Sequence, residues 1–382
     1  MFHRRIFRKF KKPKIPFFVD YTYLHHRIAL TLLNRVGPKK ARQLLASLNN
    51  WEELFTLEPQ ELSRKVGFSR SFIDNMARKE ALKTSEGIVS FIEKHEIRTV
   101  FCTDENYPKR LSECPDAPLL LYQKGEGNLD FTHWVAIVGT RNATAYGKAI
   151  CRELIESLKG RNIVVVSGLA LGIDSYVHQF CLEFGVPTIA VLGHGLDRIY
   201  PHRNRELAKS IIGQGSLLTE FPPNTLPDRE NFPKRNRIVA GLCDATIVIE
   251  SNAKGGSLIT ADLANGYSRD VFAYPGSIFQ ASSKGCNDLI RADRAHLISS
   301  GKDFLELMGW NQIETQKNAV VAPQDLSPIQ KEITQAIGSS TIHIDELAEK
   351  TRLNLSTLNI ELFDLMMGGS LNELPGKRYS LA

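Results

Sequence analysis

Between Trp134 and Tyr274, short apolar runs recur, and most end in a loop of glycine and other small residues before a helical stretch begins. No other feature restricts the fold of this chain as strongly. The candidate strands are Trp134–Val138, Ile163–Val166, Thr188–Leu192, Ser216–Thr219, Ala245–Glu250 and Val271–Tyr274. Between them the patterns of Tyr146–Lys159, Ile173–Phe184, Arg203–Ile212 and Leu258–Ser268 read as helices. Strands separated by helices predict βαβ units, and so a parallel sheet covered on both faces.

The predicted domain is a doubly wound α/β fold of Rossmann type over residues 101–310. Such sheets bind ligands outside the carboxyl ends of their strands, where strand order reverses. The glycines fall there. The first strand runs into Gly139-Thr140-Arg141, where a close backbone approach, caps from Thr140 and Asn142 and a planar guanidinium suit a phosphate. The second ends in Ser167-Gly168, followed by Gly172, Asp174 and His178, the last expected as a hydrogen-bonding residue rather than a base. The third ends in Gly193-His194-Gly195, with Tyr200-Pro201 and Asn204 beyond, and the fifth leads to Lys254-Gly255-Gly256-Ser257. Several such loops at one sheet edge make a wall of backbone amides, which is an anion surface. Next to them, Asn231-Phe232-Pro233-Lys234-Arg235-Asn236-Arg237 opens a helix, Ile238–Leu242. Its cations can neutralise successive phosphates while Phe232 stacks on an unpaired base.

Other chemistries lack their residues. The chain has neither G-x-x-x-x-G-K-[ST] nor G-x-G-x-x-G, no H-E-x-x-H and no nucleophile elbow. Six cysteines lie far apart with no C-x-x-C pair, arguing against a zinc site and for a reduced cytosol. No apolar run reaches the roughly 18 residues of a membrane span. The net charge of +6 comes from a tail over residues 1–20, whose Arg4, Arg5, Arg8, Lys9, Lys11, Lys12 and Lys14 precede the first acid, Asp20. A case for nucleic acid therefore rests on local constellations, not bulk charge.

Residues 21–100 read as helices, with Val36-Gly37-Pro38-Lys39-Lys40-Ala41 as the turn of a helix-hairpin-helix (SAM-like) domain. A polar linker over 311–325 precedes a predicted winged helix over 326–382. Its helices are Ile329–Ile337, Ile344–Glu349 and Leu355–Met367, and its wing is built from Leu371–Leu374 and Tyr379–Leu381. The third helix carries Glu361 and Asp364 and no cation, which suits protein contact better than duplex reading, although Lys377 and Arg378 lie in the wing.

Taken in order, Gly139-Thr140-Arg141, Ser167-Gly168-x-Ala170-x-Gly172-Ile173-Asp174, Gly193-x-Gly195-x-Asp197-x-x-Tyr200-Pro201, Phe232-Pro233-x-Arg235-Asn236-Arg237 and Gly256-Ser257-Leu258-Ile259-Thr260-Ala261 resemble the DprA/Smf family. Pro275-Gly276 and Gly285-Cys286-Asn287 extend the resemblance. It implies a cytoplasmic, non-catalytic, ATP-independent binder of single-stranded DNA, without cofactor or metal. Such a protein shields incoming strands in natural transformation, helps load the RecA recombinase and forms homodimers. The resemblance places the DNA contacts at Arg141 and in the Phe232–Arg237 segment, with Phe232, Arg235, Asn236 and Arg237; Lys234 stands at a variable place of the motif, and its charge and position suit a phosphate partner. Gly139, Thr140, Ser167, Gly168, Gly172, Asp174, Gly193, Gly195, Gly255, Gly256 and Ser257 then shape the pocket. The alternative is a nucleotide N-glycosidic-bond hydrolase of LOG type, in which Gly255-Gly256 would belong to the phosphate loop and Asp262 would stand for its glutamate. Leu258 and Ile259 in place of a Gly-Thr pair weaken that match.

Overall fold

The computed structural model describes residues 21–125, 127, 131–311, 327–338, 341–367, 371–374 and 377–381. The basic tail and nearly all of the polar linker lie outside the described residues. The chain divides into two compact units, 1–314 and 315–382.

The first unit begins with α1 (Tyr21–Leu32), α2 (Pro38–Ser47), α3 (Glu53–Thr56), α4 (Pro59–Val66), α5 (Arg70–Asp74) and α6 (Arg78–Lys94). The left-handed residue of the turn before α2 is Arg35, not Gly37, whose backbone is extended. The sheet region follows as β1 (Arg98–Phe101), α7 (Lys109–Ser112), β2 (Leu120–Gly125), β3 (His133–Val138), α8 (Ala145–Ser157), β4 (Ile163–Ser167) and α9 (Ile173–Phe184). It continues with β5 (Thr188–Val191), α10 (Arg205–Gln214), β6 (Ser216–Thr219), α11 (Asn231–Leu242), β7 (Ala245–Val248) and α12 (Gly256–Gly266). The last elements are β8 (Asp270–Ala273), α13 (Lys284–Arg291), β9 (His296–Leu297) and α14 (Gly301–Leu307).

The nine strands lie in the order β1-β2-β6-β5-β4-β3-β7-β8-β9. From β6 to β9 they are parallel, and β1 and β2 add antiparallel pairs at one edge. Alternation along the strands shows why both faces are covered. Trp134, Ala136 and Val138 pack in one core, and Val135 and Ile137 in the other. Val164 and Val166 likewise oppose Ile163 and Val165. Every one of these central-strand side chains is apolar, as a sheet buried on both faces requires.

The strand β1 begins inside the stretch that reads as helical, and it pairs with β2. They join the helices to the sheet: Phe101, Leu120 and Tyr122 enter the core of the front helices, while Val100 and Leu121 enter a core of the sheet. β1 spans residue 100, where the sequence pattern places the end of the helical region. Arg42 crosses the same junction, donating to the carbonyls of Pro115 and Ala117.

The second unit holds α15 (Pro328–Ile337), β10 (Ile342–His343), α16 (Ile344–Thr351), α17 (Leu355–Met367), β11 (Leu371–Leu374) and β12 (Arg378–Leu381). Its sheet has the order β10-β12-β11. Ser327 and Gln330 form a reciprocal capping box at α15, satisfying exposed amides of its first turn. Three helices and a β11–β12 wing make a winged helix. Among the described residues no helix is long and apolar enough to cross a membrane.

Candidate functional site

From β3 the chain runs through α8 to β4 on one side, while β7, the other neighbour of β3, leads through α12 to β8 on the opposite side. The crevice of strand-order reversal lies between the loops that follow β3 and β7. A buried carboxylate fills it. Glu250, 1% exposed, accepts from the backbone N–H of Thr144 at 2.9 Å and from its hydroxyl at 2.7 Å. Thr144, rather than Thr140 or Asn142, is also the N-cap of α8, its hydroxyl accepting from Gly147 N–H. The Thr140 N–H donates to the Glu250 carbonyl at 2.7 Å.

The helix that the basic segment opens, α11, starts at Asn231, seven residues before Ile238, so the segment forms its first two turns. Because helical residues are about 100° apart around the axis, its cations point in different directions. Asn231, Arg235, Ile238, Val239 and Leu242 form the buried stripe. Arg235 is 6% exposed, and its Nη1 donates to the Val191 carbonyl at 3.1 Å. Its guanidinium occupies the space above Gly168, where a Cβ would lie 1.4 Å from Nη1. A side chain at that position would displace the guanidinium. Nearby, the Asp174 carboxylate at the start of α9 accepts from the N–H groups of Gly168 and Ala170, at 3.1 and 3.3 Å. Burial raises the Asp174 carboxyl above its ordinary range, with the Arg235 charge and these amides acting in the opposite direction.

The expectation that Arg235 meets phosphate does not match its position, because it is a buried partner of the loops. Nor is Arg237 free to do so: it is paired with Glu220 and donates to the Asp116 carbonyl at 2.5 Å. Asn236 is partly buried, its side-chain amide 3.5 Å from the Gly256 carbonyl. Lys234, one position before Arg235, is exposed.

On the outer side of this layer a second group converges. The Arg141 guanidinium, exposed, lies 5.4 Å from the centroid of the half-buried Phe232 ring. Tyr200, 45% exposed, has its ring centroid 5.9 Å from that of Phe232, tilted by 38°. Gly193 lies beneath Phe232, where a Cβ would come within 3.1 Å of the ring. Tyr200 belongs to the loop after β5, and sequence reasoning missed its stacking position; only its place after the Gly193-x-Gly195 run points towards it. Its N–H donates to His194 Nε2 at 3.2 Å, and His194 Nδ1 lies 2.9 Å from the Gly195 carbonyl. Burial lowers the His194 pKa, favouring the neutral ring that can accept this bond. The Tyr200–Pro201 peptide is cis.

The remaining predicted residues form the floor. Ser167 is buried and donates to the Ile137 carbonyl at 2.7 Å. Gly172 has φ of +78°, and a Cβ there would lie 2.3 Å from the Thr140 carbonyl oxygen, so the loops after β3 and β4 can touch only with glycine at this point. Gly139 and Gly195 are also closely approached, by Ile173 and by the Pro222 carbonyl respectively. Ser257 points inward, its hydroxyl donating to Ser251 at 2.9 Å, and Gly255 packs over the same serine. Gly256 is exposed at the first turn of α12. His178 is a hydrogen-bonding core residue: its Nδ1 lies 2.8 Å from the Thr188 hydroxyl, which itself donates to the Val165 carbonyl. Burial pushes its pKa down to about 3.

Asp262, the residue on which the hydrolase reading turns, is paired with Arg294 on the surface of α12. Among the described residues no group of three or more histidines, cysteines or acids is placed to hold a metal ion. In the second unit, α17 exposes Ile360 and Phe363 beside Asp364, with no cation on the helix. Lys377 and Arg378 are exposed in the wing.

Comparison with known proteins matches residues 98–309 to the family profile of DNA recombination-mediator protein A, and residues 317–377 to the DprA winged helix domain. The chain is 32% identical over 392 aligned residues to Protein Smf of Synechocystis sp., covering 92% of this chain and 97% of that protein. The X-ray structure of DNA processing protein A from Streptococcus pneumoniae superposes with a TM-score of 0.64 at 34% identity, over 74% of this chain and 97% of the other. DNA processing protein A from Helicobacter pylori, whose structure was described for its single-stranded DNA binding mode, superposes with a TM-score of 0.52 at 31% identity, over 56% and 96%.

Proposed function

The chain belongs to the DNA recombination-mediator protein A (DprA/Smf) family, and from that premise we propose that it binds single-stranded DNA across the outer layer of its glycine-lined sheet edge. The observation that carries this reading is the convergence of Arg141, Phe232 and Tyr200 in front of loops rich in backbone amides. Arg141 and Lys234 meet phosphates, while Phe232 and Tyr200 offer faces to unpaired bases. Stacking accepts any base, and nothing at this edge forms a base-reading set, so sequence preference is small. Arg235, Asp174, Gly168 and Gly172 act beneath this layer, holding the loops and the start of α11 in place.

Binding proceeds without ATP, and the protein is a mediator rather than an enzyme. We assign it a cytoplasmic role in shielding incoming strands and loading a RecA-type recombinase, as a homodimer. The exposed Ile360 and Phe363 of α17, next to carboxylates, suit contact with protein better than with DNA.

The test is fluorescence anisotropy of labelled single- and double-stranded oligonucleotides across a salt series without ATP, with and without residues 1–20. The reading expects preference for the single strand, affinity that falls with salt, and loss of binding in the Arg141→Ala/Lys234→Ala double variant. Binding that disappears with the tail, or survives the double variant unchanged, would assign the edge to another ligand.

A further inference from the structure

The loop leaving β8 turns its apolar residues outward. Ile278 is 83% exposed and Phe279 91%, the highest values for large hydrophobic residues among those described. Both ends of the loop are anchored. Tyr146, in the first turn of α8, donates its hydroxyl to the Pro275 carbonyl at 2.6 Å. Gly276 exchanges two hydrogen bonds with the Asn287 side chain, at 3.1 and 2.9 Å. At the far end, Ser251 N–H donates to the Ser282 carbonyl at 2.7 Å, tying the loop to the one that follows β7. An apolar tip thus stands on a fixed base at the same carboxyl edge as the site.

Its surroundings favour a polyanion. No acid occurs from Val271 to Asn287, Lys254 on the neighbouring loop is exposed, and Lys284, also exposed, is paired with Asp288 at 3.5 Å. Two side chains present a few hundred Å² at most, well short of the roughly 800 Å² that each partner of a specific protein interface buries. The face of a single base is the right size.

We propose that Ile278 and Phe279 form a second stacking point for an unpaired base of the same bound strand, an inference that rests on the single-strand reading above. From the loop after β5, which carries Tyr200, to the loop after β8 is four strand spacings in the sheet order. At ~4.8 Å each, the two points are on the order of 20 Å apart, so only a strand of several nucleotides reaches both.

The test measures anisotropy with thymidine oligonucleotides of about 4 to about 16 nucleotides, using the full chain and its Phe279→Ala, Phe279→Trp and Arg141→Ala variants. Phe279→Ala should weaken binding of the longest oligonucleotide roughly fivefold or more, the lower bound of one lost base stack, and leave the shortest unaffected. Phe279→Trp should restore the affinity, and abasic sites at one end of the long oligonucleotide should abolish the difference between wild type and Phe279→Ala. Wild-type affinity in Phe279→Ala together with loss in Arg141→Ala would overturn the second stacking point and leave the first site standing. Unchanged affinity in both variants would remove both. A fall in mass by light scattering in Phe279→Ala, with DNA affinity intact, would reassign the tip to contact between copies and overturn the proposal as well.

Discussion

Lys234 and Arg235 are neighbours in sequence and carry the same charge, yet they occupy different layers of the molecule. Lys234 is exposed, whereas Arg235 is buried against the Val191 carbonyl and above Gly168. The outer layer, formed by Arg141, Phe232 and Tyr200, has the chemistry to hold a strand, and Lys234 is exposed on the same helix as Phe232. The inner layer, with Arg235, Asp174 and His178, directs its hydrogen bonds to the protein itself. Removing an outer residue should therefore change affinity and leave the fold intact, and removing an inner one should change the fold first.

The largest effect expected from this contrast is on stability. Arg235→Ala removes the buried guanidinium that bonds the Val191 carbonyl and fills the space above Gly168, a large-to-small loss in the range of about 2–5 kcal/mol, read as a fall in the urea midpoint. A normal midpoint with lost DNA binding would move Arg235 to the outer layer and break the comparison. Next are Arg141→Ala and Phe232→Ala, each expected to weaken single-strand binding by about 1–3 kcal/mol at an unchanged urea midpoint. If their effect were on the midpoint instead, the outer layer would be structural.

A third effect, read per pH unit rather than as a total, follows from His178. Its folded pKa of about 3 lies below the unfolded value of 6.5, so between those two values the unfolded chain binds more protons. The contribution of the neutral ring is complete above the unfolded pKa. It is lost as pH falls from 6.5 towards 3, at up to about 1.4 kcal/mol per pH unit. His178→Gln should flatten that part of the stability–pH curve, and an unchanged slope would show that another group carries it. The smallest expected effect is none: Glu361→Ala and Asp364→Ala should leave DNA affinity unaltered, and a large loss would place α17 on the nucleic acid.

The division between layers is partly legible in the order of residues alone. Ile238, Val239 and Leu242 mark a buried helical stripe, and extending it back by three and four residues reaches Arg235, then Asn231. Starting the helix at Ile238 conceals this, because angular spacing is then not applied to the residues before it. The pairing of Arg237 with Glu220 has no such signal, since the two are brought together by the path from β6 to α11. Tyr200 likewise reaches Phe232 only because the loop after β5 closes on α11. At the sheet edge, the apolar residues of β1 and β2 serve two cores at once, so their spacing does not separate them from the helices that precede them.

By itself the sequence determined the central strands, the helices between them, the glycine-bearing edge and the winged helix. These follow from alternation and turn chemistry, which act over a few residues and leave their period in the chain. The tertiary structure decided which of several equal charges face water, which carboxylate closes the crevice between β3 and β7, and which aromatic rings meet. Such outcomes depend on burial and on contacts between loops that are distant in sequence. Lys234 and Arg235 carry the same formal charge, and only the packed fold, by desolvating one of them, gave them different roles.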